Sequence, residues 1–534
     1  MAEVSESPAP RSVELTRGRP GGKPVLSIPV ETPDHGSEAP DVTGLSRLAT
    51  LPEWLVAAAE PDRLRTGLAR AVREFTRGEL ELHRSRAKHF RLQGATWTFL
   101  CRVTVGRPDG EPYDVWLEGS VDPAGTREAV LDGRAVAFGS EAWCCLLPEL
   151  GVELHTAPAD TALPLVPHLE DAERARVLLE SAIRGGGTPA YAEMRIATCR
   201  PQVMRYDRGS RCTVRYQLIH PPDAVRRGWP QVVVAKSYRD ETGQNAYEGM
   251  RALWRSELLR SSTVAIAEPL AYVPELRLLV QGPVAEDRTL EELICASVRQ
   301  GTPAARDEVD EYLARAAEGL AALHGCGVAS GETVTLESEV AEIRALIERL
   351  AGVVPQLSGA AAPLLVRVVD LAVEHTADPV RPSHGTFRPA QVLLHRGRVG
   401  FIDFDGFCQA EPAHDVARFR AGIRDCAMRT HLAAGDGGTR HPATTGAALT
   451  AVEAVCDEFL RHYEAVAPVS RERVMLWETL DLLTYVVHAW TRTSPARLYA
   501  RMLTLEDQVR RRRLMDVDRQ SVDPRRIADK PRAA

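Results

Sequence analysis

The chain has 534 residues, 44% of them hydrophobic and 26% charged, with a formal net charge of −7. That length allows two or three domains with cores of their own, and the acidic balance excludes a general nucleic-acid binder. No run of apolar residues reaches membrane-spanning length, the N-terminus has no apolar core of signal-peptide type, and the ten cysteines lack metal or redox spacing, so a cytoplasmic protein without a membrane segment is expected.

In chain order, residues 1–48 are rich in Pro, Gly, Ser and charge and read as a disordered tail. Residues 49–190 form an extra N-terminal α/β region with no assigned role. The helical spacing of Trp54, Leu55, Leu64, Leu68, Val72 and Phe75 predicts one helix from Leu51 to Arg77. Thr96 to Val105 and Tyr113 to Val121 read as strands joined at Arg107-Pro108-Asp109-Gly110, and a helix from Leu169 to Ile183 stops at Gly185-Gly186-Gly187.

Residues 191–283 are strand-rich. A hairpin is expected around Asp207-Arg208-Gly209-Ser210, followed by the buried-strand run Val232-Val233-Val234-Ala235-Lys236. A helix from Gln244 to Leu258 and strands Pro269 to Val273 and Leu276 to Gln281 complete this part. Residues 284–515 are helical except for the segment around His384, and residues 516–534 make a basic, solvated tail. Phe90 to Val121 and Arg205 to Tyr238 share a strand-turn-strand-strand outline, with Glu118 near the place of Lys236. Any three-strand meander gives that outline, so no repeat is inferred.

The chemistry concentrates in His384-Gly385-Thr386-Phe387-Arg388-Pro389-Ala390-Gln391 and in Gly400-Phe401-Ile402-Asp403-Phe404-Asp405. An apolar strand delivers Asp403 at its end, and Gln391 comes five residues after Thr386. Only Lys23, Lys88, Lys236 and Lys530 supply lysine among 66 basic residues, which makes a lysine closing a buried strand a pointed choice. Together these residues resemble the aminoglycoside phosphotransferase/choline kinase-like superfamily, over roughly residues 195 to 510. That superfamily writes His-Gly-Asp-x-x-Pro-x-Asn, then Ile-Asp-(Trp/Phe)-(Glu/Asp). Thr386 stands where its catalytic Asp belongs.

The resemblance implies an α+β, two-lobed protein-kinase-like fold, with a small antiparallel-sheet lobe and a large helical lobe. It implies ATP or another purine nucleotide with Mg2+, and transfer to a hydroxyl of a small molecule or natural-product peptide. Lys236 would pair with phosphates, Glu248 with Lys236 (Glu241 and Glu257 competing), and Gly209 would lie in the nucleotide-covering turn. Gln391 and Asp403 would hold the metal, Arg388 would neutralise the transferring phosphoryl group, and His384, Asp405 and Asp415 would brace the loop. Residues 49–190 are open to a protein partner. A hydroxyl is a poor base, and general-base help is worth about 100- to 10,000-fold. Thr386 therefore leaves two readings, an attenuated phosphotransferase and a pseudokinase scaffold.

Overall fold

The computed structural model describes residues 45–94, 96–121, 136–434 and 442–514. The expected tails therefore lie outside the described residues up to residue 44 and from 516 onward. The boundary at 48 moves, because Leu45–Leu48 form a short 3-10 helix whose two leucines are buried.

The expected single helix is three: α1 (Glu53–Ala59), α2 (Pro61–Ala71) and α3 (Arg73–Thr76). Pro61 at the start of α2 pushes Glu60 into extended backbone, at φ −77° and ψ 119°, which stops α1. Five antiparallel strands come next: β1 (Glu81–Gln93), β2 (Thr96–Gly106), β3 (Tyr113–Val121), β4 (Cys144–Leu147) and β5 (Val152–Thr156), in the order β1-β2-β3-β5-β4. Sequence periodicity misses β1 because it is an edge strand of mostly polar residues, with only Ser85 and Phe90 buried.

The short helix α4 (Val166–Glu170) leads into α5 (Ala172–Gly185), which starts where the Asp171 carboxylate accepts the Arg174 N–H at 2.8 Å. Ala175, Leu179, Ala182 and Ile183 line its buried face. They share a core with Cys199, Val214, Ala235 and Leu278 of the second sheet. This helix thus belongs to the small lobe, and the expected boundary at 190–191 falls too late. Gly186 closes the helix because a Cβ there would lie 2.0 Å from the Leu270 carbonyl oxygen.

The small lobe continues with β6 (Thr198–Asp207), β7 (Arg211–Ile219), β8 (Val232–Tyr238), α6 (Thr242–Trp254), α7 (Glu257–Ser261), β9 (Ala265–Ile266), β10 (Pro269–Val273) and β11 (Leu278–Gln281). Its sheet runs β6-β7-β8-β11-β10, antiparallel throughout. That order repeats the first sheet strand for strand, so the outline shared by the two segments is a repeat of topology. Glu118 lies opposite Leu100 and His155 in β3, as Lys236 lies opposite Thr213 and Leu279 in β8. Glu118 is exposed, whereas Lys236 is buried and faces the second lobe.

The large lobe contains β12 (Arg288–Thr289), α8 (Leu290–Gln300), α9 (Pro303–Gly325), α10 (Leu336–Ala351), α11 (Gln356–Glu374), β13 (Arg381–Ser383), β14 (Val392–His395), β15 (Arg398–Phe401), β16 (Cys408–Ala410), α12 (Pro412–Ala433), α13 (Pro442–Glu464), α14 (Arg471–Thr491) and α15 (Pro495–Arg511). Strand clustering early and helices late make this the expected two-lobed α+β kinase-like fold. Helix α12 is its axis, buried along most of its length. The N-terminal sheet seats on the end of α14, where the Trp97 indole donates to the Trp490 carbonyl at 3.4 Å and the Trp490 indole to that of Leu48 at 2.9 Å. Among the described residues no helix is long and apolar enough to cross a membrane.

Candidate active site

The loop after β13 is shaped by close backbone contact. Gly385 has φ +80°, and a Cβ on it would lie 1.7 Å from the Gly406 carbonyl oxygen, so only glycine fits. Phe387 anchors the loop from below, with its ring 4.8 Å from Phe401 and 4.9 Å from Phe419 of α12. Asp415 of α12 holds the loop from the side. Its carboxylate accepts the N–H groups of His384 (2.6 Å) and Gly385 (2.9 Å) and faces His324 Nε2 at 3.2 Å. Burial by itself would raise this carboxyl, but the His324 hydrogen bond and the neighbouring imidazoles hold it below its ordinary range.

His384 is buried, which lowers its pKa and keeps the ring neutral. Its Nε2–H donates to the Ile402 carbonyl (3.0 Å), tying the loop to the end of β15. The Thr386 hydroxyl donates to the Asp403 carbonyl (3.2 Å) and accepts from Gln391 Nε2 (3.2 Å). It lies 3.4 Å from His384 Nδ1. Thr386 is a linker between motif residues here, with no charge to offer a substrate proton.

Asp403 adopts left-handed backbone, φ 71° and ψ 54°, a conformation that Asp tolerates better than most side chains. The next turn, Phe404–Gly406, aims the Asp403 and Asp405 carboxylates at the same cations. Lys236 Nζ lies 2.6 Å from Asp403 Oδ1 and 3.2 Å from Asp405 Oδ1. Arg211 Nη1 lies 3.1 Å from Asp403 Oδ1 and also pairs with Asp405. Tyr238 donates its hydroxyl to Asp405 at 2.8 Å. Burial opposes the charge on Asp403, but Lys236 and Arg211 overcome it and hold the carboxyl far below its usual range. Gln391 Nε2 approaches the remaining oxygen, Asp403 Oδ2, at 3.4 Å.

The structure thus brings Lys236, Thr386, Gln391 and Asp403 together and adds Asp405, expected only as a brace. Glu248 is a correction: it is exposed and bonded to Gln244 at 2.9 Å, one turn away on the outer face of α6. Glu241 pairs with Arg277 and Glu257 with Arg260, so none of the three meets Lys236. The α6 residue that faces the cleft is Asn245, whose amide donates to the carbonyls of Phe407 (3.0 Å) and Asp405 (3.4 Å). Gly209 is at the hairpin turn as expected, with φ +68°, but its N–H is taken by the Asp160 carboxylate at 2.9 Å. Arg388 is exposed and makes no ion pair among the described residues; its stem passes over Gly422 of α12.

Sequence reasoning missed Arg211, Tyr238 and Asp160. The first two stand in β7 and β8 beside recognised positions, two residues past Gly209 and Lys236 respectively. Period-2 alternation from Lys236 is the signal for Tyr238; Arg211 shares its strand parity with Arg215, so alternation does not single it out. Asp160 gives no local signal.

The donors fit a magnesium ion in kind. Gln391 Oε1 is buried without a partner among the described residues, and its amide end faces Asp403 Oδ2. A half-turn of the Gln391 amide puts its oxygen face to face with Asp403 Oδ2, two hard oxygens that suit such a cation. On its other oxygen Asp403 is already neutralised by Lys236 and Arg211.

A model of the phosphotransferase enzyme family matches residues 226–447, which hold Lys236, the Thr386 loop and Asp403. No curated protein matches by sequence. Among solved structures, a glucosamine kinase with glucosamine, ADP and inorganic phosphate is similar at 16% identity and a TM-score of 0.43, covering 86% of this chain and 99% of its own. An aminoglycoside phosphotransferase in ternary complex with ADP and hygromycin B is similar at 13% identity and a TM-score of 0.40, over 59% of this chain and 94% of its own. A streptomycin–ATP complex of another aminoglycoside phosphotransferase shows 15% identity and a TM-score of 0.38, over 57% and 93%.

Proposed function

We propose that the chain is an ATP-dependent phosphotransferase acting on a hydroxyl of a small molecule or natural-product peptide, slowed by Thr386. One observation carries the reading: Lys236 Nζ sits 2.6 Å from Asp403 in an inter-lobe site, inside the segment matched by the phosphotransferase family model. The acceptor oxygen attacks the γ-phosphorus, the bond to the ADP oxygen breaks, and with Thr386 in place of a carboxylate the acceptor proton passes to solvent water. Lys236 and Arg211 offset phosphate charge, and Arg388, exposed beside α12, is free to meet the acceptor side. Magnesium held by Asp403 Oδ2 and Gln391 would add charge neutralisation when bound. Ten cysteines without metal or redox spacing suit a reducing cytoplasm.

The scaffold reading rests on the same Thr386, which bonds to Gln391 and Asp403 as a structural link. ATP turnover of the wild type, Thr386→Asp and Asp403→Ala over a panel of hydroxyl acceptors separates the two. A gain of about 100-fold or more with Thr386→Asp marks an intact site lacking its base. Wild-type turnover lost in Asp403→Ala marks live chemistry. Binding of nucleotide without turnover by any of the three leaves the scaffold.

A further inference from the structure

Arg211 is placed with unusual firmness for a residue two positions past a hairpin turn. The turn is tied down by the segment before α4: Asp160 accepts from Gly209 N (2.9 Å) and from the Tyr206 hydroxyl (2.8 Å), and Arg208 donates to the Pro158 carbonyl. On the other side, Arg239 N donates to the Ser210 carbonyl at 3.0 Å. So fixed, Arg211 sends a single guanidinium nitrogen, Nη1, to both Asp403 and Asp405. Its Nε and Nη2 make no hydrogen bond among the described residues, and the side chain keeps 18% of its surface open, twice the 9% of Lys236. Guanidinium N–H groups lie in a planar fork that matches phosphate oxygens two at a time.

Charge balance points the same way. Two carboxylates face two cations, so the set is neutral before any ligand arrives. A polyanion therefore meets no net repulsion from Asp403 and Asp405, which is the repulsion a divalent metal would otherwise be needed to cancel. Any cation approaching Asp403 Oδ1 has to displace Arg211 or Lys236 first.

We propose that Arg211 is a resident cation of this site, holding the polyphosphate of a nucleoside triphosphate on the free edge of its guanidinium so that the nucleotide binds without a divalent metal. The inference rests on the nucleotide reading of this same site and adds the residue that binds the phosphates and the metal independence of binding. It concerns binding alone; transfer still lacks a carboxylate base.

The test is calorimetric titration, with melting temperature alongside, of the full chain with ATP in EDTA and with ATP in MgCl2. The wild type is expected to bind in EDTA within about tenfold of its affinity in magnesium and to show a stabilising shift in both. Arg211→Met is expected to lose about tenfold or more in EDTA and distinctly less in magnesium, where the metal takes over part of the phosphate charge. Should Arg211→Met not fold, Arg211→Lys is read the same way, since it keeps the charge but not the fork. Wild-type binding seen only with magnesium overturns the inference and leaves the phosphotransferase reading standing. Unchanged binding in EDTA by Arg211→Met or Arg211→Lys also overturns it, and absence of ATP binding in both buffers removes the inference and the nucleotide reading together.

Discussion

Replacing Asp415 by Ala tests whether the loop is held from α12 or by its own turn. The carboxylate is fully buried and receives two backbone N–H groups at 2.6 and 2.9 Å, with His324 Nε2 at 3.2 Å. Each buried donor left without a partner costs about 1–3 kcal/mol, so from the two backbone N–H groups alone Asp415→Ala is expected to lose about 2–6 kcal/mol. That is a large share of a typical stability of about 5–15 kcal/mol. Asp415→Asn keeps one acceptor oxygen but turns an N–H toward the second donor, so about half the loss is expected. Urea unfolding followed by the fluorescence of Trp477 and Trp490, both buried in this lobe, reads the change. The folded carboxyl lies below its ordinary 3.8, so its contribution is present above that value and is lost as pH falls through the lower folded value. The gap between wild type and variant should hold through neutral pH and close only in acid. An Asp415→Ala protein within about 1 kcal/mol of wild type at pH 7 would refute this reasoning.

Two further perturbations test the same lobe. Glu478 is fully buried between Arg420 Nε (2.9 Å) and Arg424 Nε (2.6 Å), so Glu478→Ala leaves two buried guanidiniums facing each other and should cost about 3–5 kcal/mol in the same urea assay. His414 packs its ring 4.7 Å from Trp477, and burial lowers its pKa from 6.5 to about 3. The unfolded chain takes up a proton between those values that the native chain refuses, so stability falls as pH drops through 6.5 toward 3. At pH 5 this costs about 2 kcal/mol, and His414→Phe should recover roughly that amount at pH 5 and little at pH 8 in paired melting curves.

How much of this was legible in the sequence differs by the range of the interaction. The Thr386 loop and Asp403 were legible because strand, turn and glycine are dictated within a few residues: Gly385 has no alternative beside Gly406, and the apolar run Val399 to Ile402 carries Asp403 to the strand's end. The small-lobe hairpin was legible for the same reason. Glu248 misled because helix phase cannot be read from spacing to a lysine. A shift of one residue turns the inward face by about 100°, and Asn245 took the inward place. The extent of the small lobe misled because α5 reaches its sheet across a stretch of chain whose composition marks no break.

The same distinction explains why the most consequential residue was missed. Arg211 is one of many arginines, and nothing local separates it from Arg205 or Arg215 on the same hairpin. Arg205 pairs with Asp207 beside it and stays at the surface. Arg215, four residues along β7, keeps the same strand parity but lies opposite Val234 and is exposed in mid-strand. Only Arg211 has a fixed turn behind it and two carboxylates within reach. That turn is fixed by Asp160, which lies ahead of the segment matched to the phosphotransferase family. The N-terminal region also seats on α14 through Trp97 and Trp490, so it touches both lobes. The contact nearest the site is that of Asp160 with Gly209 and Tyr206, at the turn two residues ahead of the Arg211 that reaches Asp403 and Asp405.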